Sequence, residues 1–277
     1  MAEIIKPPRP DVCVFDKVGK TYAAGTAREY TAIKDVTFRV PDVEGHGELV
    51  AILGPSGCGK STVLKIIAGL EPQYPQTTGT VLLFGKPVLG PGADRGMVFQ
   101  EYTAFDNRTV VDNIAFGLEC QGVSRAERIE KALVWVKKVG LDPARDAHKF
   151  PHQLSGGMRQ RVAIARSLIL NPRILLRDEP FGALDPMTRL RMQDLLVTLW
   201  RDAQATVFFV THSIEEAVYL GDRIYVFGNA PGTIVEQIAS KRPEKPAVVR
   251  QAEPDFAEQV RSIREKIAKM EAEAGVV

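Results

Sequence analysis

The chain has 277 residues, of which 45% are hydrophobic, enough to build one substantial core. Its 36 basic and 34 acidic residues nearly balance, which argues against a broad nucleic-acid-binding surface. The three cysteines are odd in number and scattered, which excludes a disulfide framework and favours a reducing compartment. The N-terminal segment has no apolar signal core, and no apolar run approaches the ~18 residues that span a bilayer. We therefore expect a cytosolic protein whose membrane role, if it has one, depends on a partner.

Apolar patterns along the chain predict strands that alternate with helices. The predicted strands cover 12–18, 33–40, 48–53, 79–85, 96–99, 173–177 and 206–211. The predicted helices cover 59–70, 109–120, 124–139, a segment from 155 that stops before Asn171-Pro172, and a segment through 190–200. This alternation predicts an α/β fold with a mainly parallel sheet.

A glycine-rich stretch, GPSGCGKS at 54–61, lies between a predicted strand and a predicted helix. It matches G-x-x-x-x-G-K-[ST], a loop whose backbone N–H groups cradle phosphate at a helix N-terminus. In such a loop Lys60 reaches the β- and γ-phosphates of a nucleoside triphosphate, and the Ser61 hydroxyl ligates Mg²⁺. The alternative is an ordinary glycine turn, and the strand and helix on either side argue against it. We call this stretch and the following Thr62 the cradle. Its predicted nucleotide-binding residues are Gly54, Pro55, Ser56, Gly57, Cys58, Gly59, Lys60, Ser61 and Thr62.

Two adjacent carboxylates, Asp178 and Glu179, follow the apolar strand predicted at 173–177. Ligands of open α/β sheets bind beyond the carboxyl ends of the strands, where these acids lie. An acid such as Asp178 at this position holds Mg²⁺ in P-loop enzymes, and Glu179 can accept a proton from an attacking water. A pair of solvated loop acids is the alternative.

The next apolar strand, at 206–211, is followed by His212, which can hydrogen-bond a γ-phosphate or the attacking water. A structural role is the commoner fate of a single histidine at a strand end. His148 and His152 have helical spacing, but Pro151 between them argues against a shared metal site.

Arg177 precedes the paired acids at a position where an apolar residue is expected. Because strand side chains alternate between faces, it should point away from the Asp178 face. We expect its stem to be buried and its head to reach water or an acid.

The segment LSGGMRQRVAIARSLILNP, at 154–172, predicts a helix with Ser155 as its N-cap. Gly156 and Gly157 leave backbone N–H groups open to an anion at that helix start. A chain that already has one cradle does not need a second for the same nucleotide, so we expect this segment to face a nucleotide on another subunit. The alternative is a well-capped structural helix.

The tail carries an apolar stripe at helical spacing after Pro254. Its members are Phe256, Val260, Ile263, Ile267 and Met270. The stripe is too short for a free-standing coiled coil, so we expect it to dock on the core of its own chain or of a dimeric partner, with a regulatory role as the second possibility.

In these motifs and their order the chain resembles the ATP-binding subunits of ABC transporters, over roughly 12–238. The resemblance rests on GPSGCGKST, MVFQEY, LSGGMRQR, LLRDEPFGALD and THS. It implies that Gln100 touches Mg²⁺, assists catalysis and senses the membrane partner. It also implies that Asp185 lies at a dimer seam and that Tyr22 stacks on adenine, with Tyr30 as a competitor for that last role.

The resemblance implies a P-loop ATPase core with a mainly parallel sheet, an N-terminal antiparallel β subdomain and an inserted helical subdomain. We expect an ATPase domain at 1–240 with its helical part at about 100–167, a proline-containing linker at 241–253, and an amphipathic helix at 254–277.

Within that family the segments GPGADRGMVFQEY, TVVDNIAFGLE and APGTIVEQI look most like importers of nitrate, sulfonates and taurine. The implied function is hydrolysis of ATP, with Mg²⁺, to power import of a small anion. The implied partners are a second ATPase subunit in a head-to-tail dimer, a membrane permease and, indirectly, a solute-binding protein, with no nucleic acid. The implied location is the cytoplasmic face of the cell membrane. A soluble ABC ATPase that acts on DNA or ribosomes is the alternative.

Overall fold

The structure is a computed structural model, and it describes residues 9–99, 104–179, 181–182, 184–240 and 243–273. The strands are β1 Cys13–Tyr22, β2 Tyr30–Val40, β3 Leu49–Leu53, β4 Thr78–Leu83, β5 Lys86–Pro87, β6 Arg95–Val98, β7 Ile174–Asp178, β8 Thr206–Thr211, β9 Arg223–Phe227 and β10 Ile234–Ala239. The helices are α1 Lys60–Ala68, α2 Val110–Cys120, α3 Arg125–Lys138, α4 Pro143–Asp146, α5 Gly156–Leu168, α6 Pro186–Ala203, α7 Ile214–Leu220, α8 Ala247–Arg250 and α9 Pro254–Glu273.

Six strands form the central sheet, in the order β10-β9-β3-β8-β7-β6. All neighbouring pairs are parallel except β10 with β9. Strands β3, β7 and β8 are buried along their whole length, as expected of continuous apolar runs in a sheet covered on both faces. The predicted α/β class with a mainly parallel sheet is confirmed.

A second, antiparallel sheet has the order β2-β1-β4-β5. Its inner face packs on the central sheet through aromatic rings, among which Phe38 lies 4.9 Å from Tyr225 between ring centroids. The implied N-terminal antiparallel sheet is therefore present.

Two apolar cores lie on opposite faces of the central sheet. One joins α1 and the antiparallel sheet to Ile174, Leu176 and Val210. The other joins α2, α3, α5, α6 and α7 to Leu175 and Phe209. Because side chains alternate along β7, Asp178 lies on the same side as Ile174 and Leu176, which is the α1 side.

The tail helix packs on the second core through Phe256, Val260 and Ile263, which are all buried. An ion pair of 2.9 Å between Arg264 and Glu215 also joins it to α7. The favoured prediction, docking on the chain's own core or on that of a dimeric partner, is confirmed, and the core is the chain's own. The segment predicted as a linker, 241–253, contains the short helix α8.

Helix boundaries shift where glycine allows a left-handed backbone. The predicted helix 59–70 is shorter in the structure, since Gly59 at φ 93° and Gly69 at φ 75° flank α1. Across the described residues, none of the helices has the length and apolar character needed to cross a membrane.

Candidate functional site

The cradle connects the end of β3 to the start of α1. Gly57 and Gly59 have φ values of 80° and 93°, a region that favours glycine. A Cβ on Gly59 would also lie 2.4 Å from Cγ2 of Ile33. These glycines allow the loop to curl tightly against β2 before the helix begins, as the motif requires.

Lys60 is 5% exposed and folds back over the cradle. Its ammonium group donates hydrogen bonds to the carbonyl oxygens of Gly54 at 2.8 Å and Pro55 at 2.6 Å. The positive charge is therefore held inside the curl of the loop, where a phosphate chain binds in P-loop proteins.

Ser61, in the first turn of α1, contacts Asp178, the last residue of β7. The Ser61 hydroxyl donates a hydrogen bond of 2.9 Å to Oδ1 of Asp178. Burial raises the pKa of Asp178, and the Ser61 hydrogen bond and the charge of Lys65 oppose that rise. The two predicted Mg²⁺ ligands that lie within the described residues are thus adjacent, with oxygen donors of the kind that Mg²⁺ prefers.

Glu179 and His212 form a second pair beside Asp178. Nδ1 of His212 lies 3.5 Å from Oε1 of Glu179. The backbone N–H of Glu179 donates to the carbonyl of Val210, and its φ of 42° turns the chain sharply at the strand end. The His212 side chain is 59% exposed, so this pair faces solvent at the mouth of the site.

Tyr22 and Tyr30 both contact the cradle. They are cross-strand partners on β1 and β2. The Tyr22 hydroxyl lies 3.4 Å from Oγ1 of Thr62, and the Tyr30 hydroxyl donates to the carbonyl of Gly57 at 3.2 Å. Both tyrosines therefore lie beside the cradle, and stacking of Tyr22 or Tyr30 on adenine stays a prediction.

Ser155 caps α5, as predicted, by accepting a hydrogen bond from the backbone N–H of Met158 at 3.3 Å. Ser155, Gly156 and Gly157 line a groove of about 430 Å³ together with Asp185, which caps α6. The side-chain hydrogen bond from Thr188 lowers the pKa of Asp185. No residue of the cradle lines this groove within the described part of the chain, so the two segments form separate surfaces.

Gln100 and Cys58 are two further predicted site residues. Gln100 lies outside the described residues. The Cys58 side chain is 1% exposed and packs in the core, and burial raises the pKa of its thiol. Cys58 can therefore serve a phosphate only through its backbone.

Arg177 lies on the face opposite Asp178, as expected, beside Val98 and Phe209 on the neighbouring strands. We expected its head to reach water or an acid. Water is excluded, since the whole residue is only 1% exposed, and contact with an acid stays a prediction. Helices of the second core cover this face of the sheet and bury the guanidinium group with its stem.

Comparison with known proteins identifies the family of this chain. The family model described as "ABC transporter" matches residues 33–182. The chain belongs to the ABC transporter family. As a member it is an ATP-binding cassette and an ATPase.

Several ABC proteins are similar to this chain over most of its length. An uncharacterized ABC transporter ATP-binding protein of Methanocaldococcus jannaschii is 56% identical over 191 residues, which are 69% of this chain and 70% of that protein. The taurine import ATP-binding protein TauB of Rhizobium johnstonii is 49% identical over 79% of this chain and 80% of its own length. The nitrate import ATP-binding protein NrtD of Synechocystis sp. is 45% identical over 79% of each chain.

Solved ABC cassettes share the fold. A dimeric cassette in a post-hydrolysis state, bound to ADP and Pi, matches with a TM-score of 0.68 and 34% identity over 83% of this chain and 99% of that one. The cbiO1 subunit from Clostridium perfringens matches with a TM-score of 0.71 and 25% identity over 91% of this chain and 94% of that one.

Sequence reasoning missed one polar group near this ABC site. Glu216 is buried, and its carboxylate accepts a hydrogen bond of 2.6 Å from the hydroxyl of Thr211, the residue before His212. The available signal was the capping-box spacing of Ser213 and Glu216, which predicts the start of α7 but not where the carboxylate points.

Proposed function

We propose that this chain hydrolyses ATP to power import of a small anion, such as nitrate, a sulfonate or taurine, through a separate membrane permease. The contact between Ser61 and Asp178 carries the hydrolytic part, because it joins the cradle to the strand-end acid. The import part is supported by similarity to proteins named for taurine and nitrate import. The proposed location is the cytoplasmic face of the cell membrane, where the chain is peripheral.

Ser61 and Asp178 fit a hydrated Mg²⁺, and we propose that they hold it with Gln100. Their adjacent oxygen atoms support this assignment. When bound, the ion neutralises negative charge on the phosphate oxygens. Asp178 must be ionised for this role, and the positive charges of Lys65 and Lys60 favour that form despite burial.

In the proposed reaction Lys60 binds the β- and γ-phosphates as a point charge. Glu179 accepts a proton from a water molecule while the water oxygen bonds to the γ-phosphorus. The bond from that phosphorus to the β,γ-bridging oxygen breaks, leaving ADP and phosphate. His212 orients the γ-phosphate or the water, and its 3.5 Å separation from Glu179 supports a shared task at one reacting centre.

We propose a head-to-tail homodimer in which Ser155, Gly156 and Gly157 face the partner's ATP and Asp185 lies at the seam. The separation of this groove from the cradle supports the arrangement, since one chain does not use both surfaces on one nucleotide. The similar cassette bound to ADP and Pi is itself described as dimeric. Permease subunits and, indirectly, a solute-binding protein complete the proposed assembly.

We propose that residues 1–240 form the ATPase domain and that its helical subdomain lies at about 100–167. The helices α2, α3, α4 and α5 fall within or at the edge of this segment, between β6 and β7 of the central sheet. The tail at 254–277 follows the segment 241–253.

The proposed function is tested by co-purification and uptake. A tagged chain isolated from native membranes in mild detergent should bring a multi-span permease with it, and the Lys60→Ala variant should do so equally well. Cells that carry wild-type chain should accumulate isotopically labelled nitrate or taurine, whereas Lys60→Ala cells should not. Recovery of ribosomes or DNA in place of a permease, with normal uptake of both solutes in the variant, would overturn the proposal.

A further inference from the structure

The buried carboxylate of Glu216 lies between two elements of the proposed catalytic site. It is 6% exposed. One oxygen, Oε2, accepts a hydrogen bond of 2.6 Å from Thr211 at the end of β8. The other oxygen, Oε1, lies 3.8 Å from Nε of Arg189 on α6. Glu216 therefore joins β8 to α6 through its two oxygens.

On the β8 side, Glu216 fixes the backbone around His212. The Thr211 hydroxyl that donates to Glu216 also accepts a hydrogen bond from the backbone N–H of Ser213 at 3.0 Å. Thr211 and Ser213 flank His212 directly, so the direction of one hydroxyl sets the turn that presents the imidazole. A carboxylate that holds this hydroxyl consequently holds His212 in place.

On the α6 side, Arg189 reaches the segment before Asp185. Its Nη2 donates to the carbonyl of Leu184 at 3.3 Å, and its backbone N–H donates to the carbonyl of Asp185 at 2.9 Å. Arg189 therefore ties the first turn of α6 to the residues proposed to lie at the dimer seam.

The surroundings of Glu216 explain how a carboxylate is kept there. Burial raises its pKa, whereas the Thr211 hydrogen bond and the charge of Arg189 favour the ionised form. Glu215, next to it on α7, acts in the opposite direction. A buried charge is costly unless it is paired and hydrogen-bonded. The pairing of Glu216 with Arg189 therefore links the stability of the turn around His212 to the position of Arg189 on α6.

We propose that Glu216 is a positioning residue that couples His212 to Asp185 through Arg189. The inference rests on the proposed function, because it uses the proposed γ-phosphate contact and dimer seam. When His212 engages a γ-phosphate, the turn it belongs to shifts the Thr211 hydroxyl, and Glu216 and Arg189 pass the change to Leu184 and Asp185. Nucleotide engagement and closure of the seam then share a coupling free energy carried by one ion pair.

The test separates coupling from folding and from nucleotide binding. Glu216→Gln keeps an oxygen for Thr211 but removes the charge, and Arg189→Met keeps the stem but removes the guanidinium group. Each should lower kcat about tenfold, the size expected for one contacting pair. Binding of a fluorescent ATP analogue to the monomer should change less than about twofold, because neither residue contacts the cradle. ATP-dependent dimerisation, followed by sedimentation in a Glu179→Gln background, should weaken by a similar factor.

A double-mutant cycle and a matched control complete the design. The variant with both substitutions should be no slower than either alone, and Arg189→Lys should restore much of the activity. Glu265→Gln, an exposed acid on α9, should match wild type. The Arg189 side chain is 37% exposed, so we expect its variants to fold. They therefore test the Glu216–Arg189 ion pair even if a Glu216 substitution unfolds the chain.

The outcomes are distinguishable from failure of the proposed function. If wild-type protein neither hydrolyses ATP nor dimerises with it, the proposed function fails. If wild type does both and the two variants match it, or their losses multiply in the double variant, the coupling role of Glu216 is wrong. Losses of activity that only follow losses of thermal stability would likewise reduce Glu216 to a packing residue.

Discussion

The hydroxyl of Ser61 donates a 2.9 Å hydrogen bond to Oδ1 of Asp178, although 117 positions separate the two residues in the chain. Strand β8 lies between β3 and β7, and parallel pairing aligns the carboxyl ends of all three. The cradle after β3, the acids after β7 and His212 after β8 therefore meet at one edge of the sheet, as the rule for open α/β sheets predicts.

Glu179→Gln should preserve ATP binding and stop turnover. The amide is almost the same shape as the carboxylate, but it cannot take the proton of the attacking water. We expect kcat to fall at least ~10²-fold, the usual contribution of a general base. Nucleotide-bound dimers should accumulate in gel filtration with ATP. Glu130→Gln, which replaces an exposed acid on α3, serves as the control. Normal turnover in Glu179→Gln would show that Glu179 is not the general base.

Lys60→Ala should weaken binding of ATP far more than it weakens folding. The substitution removes the charge that the cradle carbonyls of Gly54 and Pro55 now hold. A charge-assisted contact contributes about 2–3 kcal/mol, so the Kd for ATP should rise roughly 30- to 150-fold. Isothermal titration measures it, with Lys34→Ala, an exposed residue of β2, as control. Equal affinities of the two variants would contradict the placement of the phosphate chain.

Ser155→Arg should abolish hydrolysis while the monomer still binds ATP. The arginine fills the groove that is proposed to receive the partner's nucleotide. Ser124→Arg is a matched control, because Ser124 also caps a helix, accepting from the backbone N–H of Glu127 at 3.4 Å, but does not line the groove. Both variants lose a cap worth about 1 kcal/mol, so their melting temperatures should fall alike. Only Ser155→Arg should lose turnover, and loss of ATP binding by its monomer would contradict sharing between subunits.

Removal of the tail after Pro246 should destabilise the chain. It exposes the core surface that Phe256, Val260 and Ile263 cover. Ile263→Ala alone should cost about 3 kcal/mol in chemical denaturation, whereas Arg261→Ala on the exposed side of the same helix should cost little. The KM for ATP should stay unchanged in Ile263→Ala. Higher ATPase activity with unchanged melting after truncation would instead make the tail an inhibitory element.

Asp146 should give the fold a pH-dependent contribution. Its buried carboxylate accepts from Arg145 and Lys149, and the Arg145 hydrogen bond, followed by that of Lys149, holds the pKa of Asp146 well below its usual range. The unfolded chain takes up this proton as pH falls through about 4, while the folded chain does not, so stability present at neutral pH is lost in acid. Asp146→Asn should therefore be less stable than wild type by about 2 kcal/mol at pH 7, and this difference should shrink below about pH 4. Urea denaturation at both pH values measures it, and a constant difference would contradict the prediction.

The features that contiguous residues encode can be predicted from the sequence alone. The cradle, the strand-end acids and the cap at Ser155 each depend on a few neighbouring residues and on the strand or helix that they adjoin. Backbone hydrogen bonds within a helix and alternation along a strand are local, so the pattern of apolar residues is enough to predict them. The tail stripe belongs to the same class, since its face is fixed by helical spacing alone.

Which distant side chains meet and which are covered depends on the packing of the whole chain. Glu216 and Arg189 lie on different helices, and their contact depends on how α6 and α7 pack on the second core. Arg177 is buried because helices cover its face of β7, which no feature of the strand itself specifies. Tyr22 and Tyr30 both reach the cradle because the antiparallel sheet packs beside α1. Burial and pairing of polar groups come from the whole fold, because they depend on the water and the partners that packing removes or supplies.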